Sequence, residues 1–113
     1  MKKSLIFVFI LILCSTLAYS YFFTGNDIYN WITLDKTFFE SSSEGKWNYQ
    51  KAFGYIIGIF DLGDNLFWEG PLNVTAGQVR DVAIKYLREH PERRHEPASS
   101  LLIEAFQEAF PIK

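Results

Sequence analysis

The sequence predicts an all-α fold: a small, compact, irregular four-helix domain after an N-terminal signal peptide. Three observations predict it. Apolar residues recur at helical spacing in four stretches, no stretch shows the alternation of a half-buried strand, and Gly, Pro and Ser breakers separate the four. A chain of 113 residues fits one small domain and leaves no room for a second.

The first element is the leader. Lys2 and Lys3 precede an apolar run from Leu5 to Leu13, and smaller residues end in Ala18-Tyr19-Ser20. This is the layout of a secretory signal peptide, with Ala18 and Ser20 suited to the protease's small pockets, so residues 1–20 are expected to be cleaved away from a domain at 21–113. Retention as a membrane anchor is the competing reading. A spanning helix needs about 20 apolar residues, however, and Ser15, Thr16 and Ser20 interrupt this run too early. A lipoprotein is the third reading, with Cys14 as the lipidated residue, but Leu13 is not the small residue expected before it.

The four helices follow in order. Thr24-Gly25-Asn26 offers capping oxygens to a short helix from about Asn26 to Leu34, with Ile28, Trp31 and Ile32 at helical spacing. Asp35 to Lys46, containing Ser41-Ser42-Ser43-Glu44-Gly45, reads as a loop. The second helix is expected from Trp47 to about Leu62, with Ala52, Tyr55, Ile56, Ile59 and Phe60 on a broad apolar face. Gly54 and Gly58 lie one turn apart in it, which costs helix propensity and predicts that another helix approaches closely there. Gly63 to Val74 is a connection containing Gly70, Pro71 and the apolar pair Phe67-Trp68. Thr75-Ala76-Gly77-Gln78 is a capping box opening the third helix, whose stripe is Val79, Val82, Ala83, Tyr86 and Leu87 and which His90-Pro91 ends. Glu92 to Glu96 reads as a solvated linker. Pro97 then stands in the first turn of a fourth helix that buries Leu101, Leu102, Ala105, Phe106, Ala109 and Phe110 before Pro111.

Composition narrows function. The formal net charge is −2, and removing Lys2 and Lys3 takes the remaining chain to −4. No cationic surface is then available to displace counterions from phosphates, so nucleic acid is not an expected partner, and the membrane is met only through the leader. The single cysteine lies in the leader, which excludes thiolate metal sites, thiol catalysis and internal disulfides from the exported domain. Aromatic residues, 18% of the chain, must supply much of its burial.

Catalytic groups are sparse, and no cofactor or metal is expected. His90 and His95 have the spacing of half a zinc finger without the cysteines that complete one. His90 at a helix C-terminus complements the macrodipole instead. Asp61 and Asp64 could pair for acid/base work or begin a calcium loop, but the spacing fails the EF-hand pattern and no bidentate glutamate closes it, so they read as caps or loop residues. Asn73-Val74-Thr75 matches a glycosylation acceptor, but Thr75 already has a capping role. Phe67-Trp68 stands out, because two large aromatics in a loop either plug the core or anchor a partner. A binding role is therefore favoured over an enzymatic one.

From Thr24 onward the order of motifs resembles the Rap/Tai immunity-protein family, periplasmic proteins that protect bacteria from type VI secretion amidase effectors. The resemblance rests on Phe23 to Asp27, on Gly54 to Gly58 with Asp61, and on Val74 to Gln78. It is closest at Lys85 to His95, continuing through Pro97 to Leu101, Glu104 to Phe106 and Ala109 to Pro111. It implies a non-catalytic, often homodimeric helical protein that docks on a peptidoglycan amidase and blocks its cysteine nucleophile; an acidic surface would steer a basic effector. The contacts it suggests are the loop Asp64 to Asn73, with Asp64, Phe67, Trp68 and Glu69, and the polar faces around Arg80, Asp81, Arg88 and Glu89. One departure matters. The family commonly has cysteines where this sequence has Ala52, Trp68 and Ile112, which makes Trp68 a hydrophobic substitute for a disulfide and favours the core plug. Two other classes compete: a periplasmic chaperone-like helical protein without a dedicated effector, and a hydrolase, for which Asp61, Asp64 and the two histidines are the only groups in hand.

Overall fold

The computed structural model describes residues 2–17, 22–34 and 42–113, with backbone alone for 11–17. Among these residues the elements are α1 (Lys2–Leu17), α2 (Gly25–Ile32), α3 (Ser43–Gly63), α4 (Ala76–Glu89), a 3-10 turn (Pro91–Arg93) and α5 (Ala98–Ala109). The chain is all-α, as the helical spacing predicts. The expected cleavage site at Ala18 to Ser20 and the loop from Asp35 to Ser41 lie outside the described residues. Along α1 the side chains from Leu5 to Ile10 are exposed. Among the described residues no helix is long and apolar enough to cross a membrane.

One core joins the other four helices. Ile28 and Ile32 of α2, Ala52, Ile56 and Phe60 of α3, Val79, Ala83, Tyr86 and Leu87 of α4, and Ala98, Leu101, Leu102, Ala105 and Phe106 of α5 are all buried. Tyr55, Ile59, Val82 and Phe110 are half-buried at its edge, and Ala109 is exposed. Of the expected stripe of α5 only Ala109 fails to reach the core; Phe110 has left helical geometry, yet its ring still packs edge to face on Phe60 at 5.6 Å.

Local chemistry sets the helix ends. At α2 the Thr24 hydroxyl accepts from the Asp27 N–H at 3.2 Å while the Asp27 carboxylate accepts from the Thr24 N–H at 3.0 Å. The Thr75–Gln78 box at α4 closes the same way, at 3.1 and 2.8 Å. Helix α3 corrects the sequence reading: it begins at Ser43, four residues before Trp47. The Ser42 hydroxyl accepts from the Gly45 N–H at 3.2 Å and Glu44 sits in the positive first turn, so the serine cluster starts a helix where a loop was expected. Pro97 likewise precedes α5 in extended conformation and is not inside its first turn.

Two further expectations are overturned. A side chain built at Gly54 or Gly58 would meet nothing within 4 Å, so among the described residues no helix approaches them closely. The close approaches are elsewhere: a Cβ at Gly25 would fall 2.5 Å from Leu101 Cδ1, and one at Gly63 would enter the Trp68 ring. Nor is Glu92 to Glu96 a solvated linker. The Gly25 and Asn26 N–H groups, which open α2 without helical partners, donate to Glu96 O at 3.0 Å and Arg94 O at 2.7 Å. The Arg93 guanidinium forks onto the Glu96 carboxylate at 2.8 and 3.0 Å and reaches Glu104 of α5 at 2.6 Å. This segment therefore clamps α2, α4 and α5 together.

Candidate functional site

The connection between α3 and α4 is the most constrained irregular segment of the described chain. Asp64 caps α3, its N–H donating to Phe60 O at 3.0 Å, and its carboxylate accepts from the N–H of Gly70, six residues on, at 2.9 Å. Asn65 sits in the left-handed region at φ 65°, where its short polar side chain is better tolerated than most. Its N–H donates to Trp68 O at 2.7 Å, and the Leu66 and Phe67 N–H groups donate to Gly63 O at 3.0 and 2.8 Å. The Glu69 N–H donates to Phe110 O at 2.9 Å, and the Lys113 N–H returns to the Glu69 carboxylate at 3.2 Å. The C-terminal residues thus brace the loop from one side.

This bracing sends the two aromatics in opposite directions. Trp68 is 1% exposed, with its ring centroid 5.3 Å from Phe106 and 6.2 Å from Phe60. Its indole N–H is buried without an acceptor among the described residues. Of the positions where the resemblance expects cysteines, Ala52 and Trp68 are core residues, while Ile112 is exposed and lines a hollow of about 300 Å³ beside Trp68. Phe67, by contrast, is 59% exposed. Leu66 at 66%, Leu62 at 77% and a fully exposed Leu72 accompany it. Asp61 and Glu69 are exposed nearby, which gives this apolar tip an acidic border.

The loop candidates therefore divide: Asp64 shapes the turn, Trp68 fills the core, and Phe67 and Glu69 face outward. The sequence reading missed Leu62, and it named the loop from Asp64 to Asn73 without singling out Leu66 and Leu72 in it. Their signal was present, since apolar residues beside Asn65 and Pro71 in a short loop have little core to reach.

The α4 candidates do not form one face. Arg80 turns toward α3, donating to the Tyr49 hydroxyl at 3.1 Å and to Asp81 at 3.1 Å, and its pKa is raised by the bond to Tyr49 first and by Asp81 second. Asp81 and Arg88 are exposed seven residues apart, on the outward face of the helix. Glu89 lies toward α5, lining a hollow of about 170 Å³ with Val82, Lys85 and Glu108. A neighbouring hollow of about 440 Å³ lies between the loop and α4, against Pro71, Val74, Gln78 and Phe110.

The polar cluster at the other end of α4 is structural. Glu104 accepts from Arg93 and, at 2.7 Å, from the Tyr86 hydroxyl. The Arg93 bond, then the Tyr86 bond, hold the Glu104 carboxyl below its ordinary value of 4.5. Burial, then the bond to Glu104, pushes the Tyr86 phenol up to about 12. His90 caps the helix with its ring stacked on Tyr86 at 4.2 Å and Nδ1 2.8 Å from Tyr86 O. Among the described residues no three His, Cys, Asp or Glu side chains cluster as metal ligands would.

No curated protein matches the chain in sequence. A family model described as Rap1a immunity proteins matches residues 24–112, which takes in α2 to α5 and the whole braced connection. On that match the chain belongs to the Rap1a immunity protein family.

Proposed function

We propose that the protein is the immunity partner of a type VI secretion peptidoglycan amidase, exported to the periplasm by the α1 leader, where it binds the effector and blocks it without catalysis. The observation that carries this reading is the tip formed by Leu62 in the last turn of α3 and by Leu66, Phe67 and Leu72 of the connection that follows, apolar side chains held in water on a segment fixed by the hydrogen bonds of residues 64–70. A hydrophobic anchor with an acidic border fits a cleft with a basic rim, and a rigid loop loses little entropy on docking. The homodimer that the family resemblance implies belongs to the same proposal, and sedimentation of the full chain reads it directly.

Titration of a candidate amidase acting on peptidoglycan tests the reading. The wild-type chain is expected to inhibit at one-to-one stoichiometry and Phe67→Asp to lose inhibition by tenfold or more while remaining folded, since truncating a central anchor costs about 2 kcal/mol or more. Capture of many unrelated proteins in place of one amidase would sink the immunity reading in favour of a chaperone-like one.

A further inference from the structure

An aromatic cluster joins the entry of α2 to α3, away from the braced loop. Phe23 meets Trp31 edge to face at 5.3 Å and 80°, and meets Tyr55 at 5.3 Å and 81°. All three rings are half-buried, so each keeps part of its surface open to solvent. Into the angle comes Lys51, one turn before Tyr55 on α3, with Nζ 4.2 Å from the Trp31 centroid and 5.6 Å from that of Phe23.

Ring faces carry negative charge density, and two or more faces turned toward one point hold organic cations, as those of Trp31 and Phe23 do here for an ammonium. Lysine is strongly hydrated and flexible, so an ammonium without a carboxylate partner ordinarily extends into water. Among the described residues Lys51 has none, yet it lies on the rings. An exposed contact of this kind is weak enough to be displaced.

We propose that Trp31 and Phe23, the latter held by Tyr55, form a binding site for an organic cation, an alkylammonium or guanidinium group, which Lys51 occupies in the free protein. Lys51 acts as a removable latch: an incoming cation takes its place on Trp31 and the lysine swings out to water. The net negative charge of the chain favours cationic ligands in general. The site is independent of the amidase reading and stands or falls separately from it.

Tetramethylammonium chloride titrated into the full chain, against sodium chloride at equal ionic strength, tests it by nuclear magnetic resonance. The readout is the Trp31 indole N–H signal, assigned by its loss in Trp31→Phe. A saturable shift is expected, with a midpoint about two- to fivefold lower in Lys51→Ala, the range set by an exposed cation–π contact. Phe23→Leu in the Lys51→Ala background should raise the midpoint again, and thermal melts identify any variant that has lost its fold. No saturable shift in folded Lys51→Ala, or equal midpoints with and without Lys51, would overturn the proposal. Repeating the titration with Nα-acetyl-arginine amide separates the sources: tighter binding than tetramethylammonium points to a partner's basic side chain, and weaker binding to a free quaternary ammonium.

Discussion

Alanine at Trp68 and alanine at Phe67 should produce opposite defects, although the residues are adjacent. Truncating a buried tryptophan typically costs about 3–5 kcal/mol in lost contacts and cavity. Here part of that loss is offset, because the indole N–H is buried without an acceptor and its removal relieves about 1–3 kcal/mol of desolvation. Taking the middle of both ranges, the net expectation for Trp68→Ala is a loss of about 2 kcal/mol. With about 4–8 °C per kcal/mol for a domain of this size, the melting temperature should fall by 8 °C or more. Trp68→Phe keeps a ring against Phe106 and Phe60 and discards the unpaired N–H, so it should stay within about 1.5 kcal/mol of wild type. Phe67→Ala removes a side chain that is mostly in water and should change stability by no more than about 0.5 kcal/mol. Urea unfolding followed by circular dichroism at 222 nm measures all three without relying on the tryptophan signal. Amidase inhibition should rank the variants the other way, with Phe67→Ala weaker than Trp68→Phe. A cost at Phe67 equal to that at Trp68, or a loss below about 1 kcal/mol for Trp68→Ala, would refute the division between plug and anchor.

The glycines offer a contrast: Gly63→Ala drives a methyl into the Trp68 ring and should destabilise by about 1–3 kcal/mol, whereas Gly54→Ala and Gly58→Ala face open space and should each stabilise by about 0.5–1 kcal/mol in the same urea assay. The Glu104 pKa is depressed on folding, so its contribution is present above about pH 4.5 and lost as pH falls through the lowered value. Glu104→Gln should be less stable near neutral pH by about 1 kcal/mol or less, the pair being partly exposed and screened, and its urea midpoint should fall less steeply than wild type between about pH 5 and 3. Tyr86 has the opposite sign: its raised pKa stabilises below pH 10 and the benefit is lost as pH rises through about 12, so Tyr86→Phe should remove the latest phenol from an absorbance titration at alkaline pH. Thr75→Ala breaks the capping box of α4 and should cost about 1 kcal/mol, read as a lower melting temperature with α4 amides exchanging faster.

Where the sequence was legible, period and end chemistry agreed. Thr75 and Gln78 announced the start of α4 because their reciprocal hydrogen bonds need only three residues of local chain. The buried faces of α2 and α4 were readable because Ile28 and Ile32, and Val79, Ala83 and Leu87, recur at helical spacing. Failures came where local chemistry has two outcomes. Ser42 and Ser43 suit a loop or a cap equally, and the hydrogen bond to Gly45 that decides between them forms only with the helix. Gly54 and Gly58 had the spacing of a close approach, but that approach occurs at Gly25 and Gly63, where packing partners distant in sequence determine it. Likewise, nothing local to Arg93 reveals that Glu104, eleven residues on, turns a charged linker into a clamp.

The candidate site was half legible for a related reason. A catalytic site is written in residue types, whereas a docking surface is written in which apolar side chains fail to reach the core, and that depends on how much space the core has left. Plug and anchor were posed as alternatives for the pair Phe67-Trp68, but the structure makes one the condition of the other. Trp68 fills the space against Gly63, Phe60 and Phe106, and the Gly63 carbonyl accepts from both the Leu66 and Phe67 N–H groups, so these two side chains have nowhere inward to go. Burial of one aromatic thereby fixes the exposure of the next. A cysteine at position 68 would leave that space to be filled by a neighbour, and Phe67 is the nearest side chain able to do so. On this argument the tryptophan stabilises the core and also keeps the tip outside it.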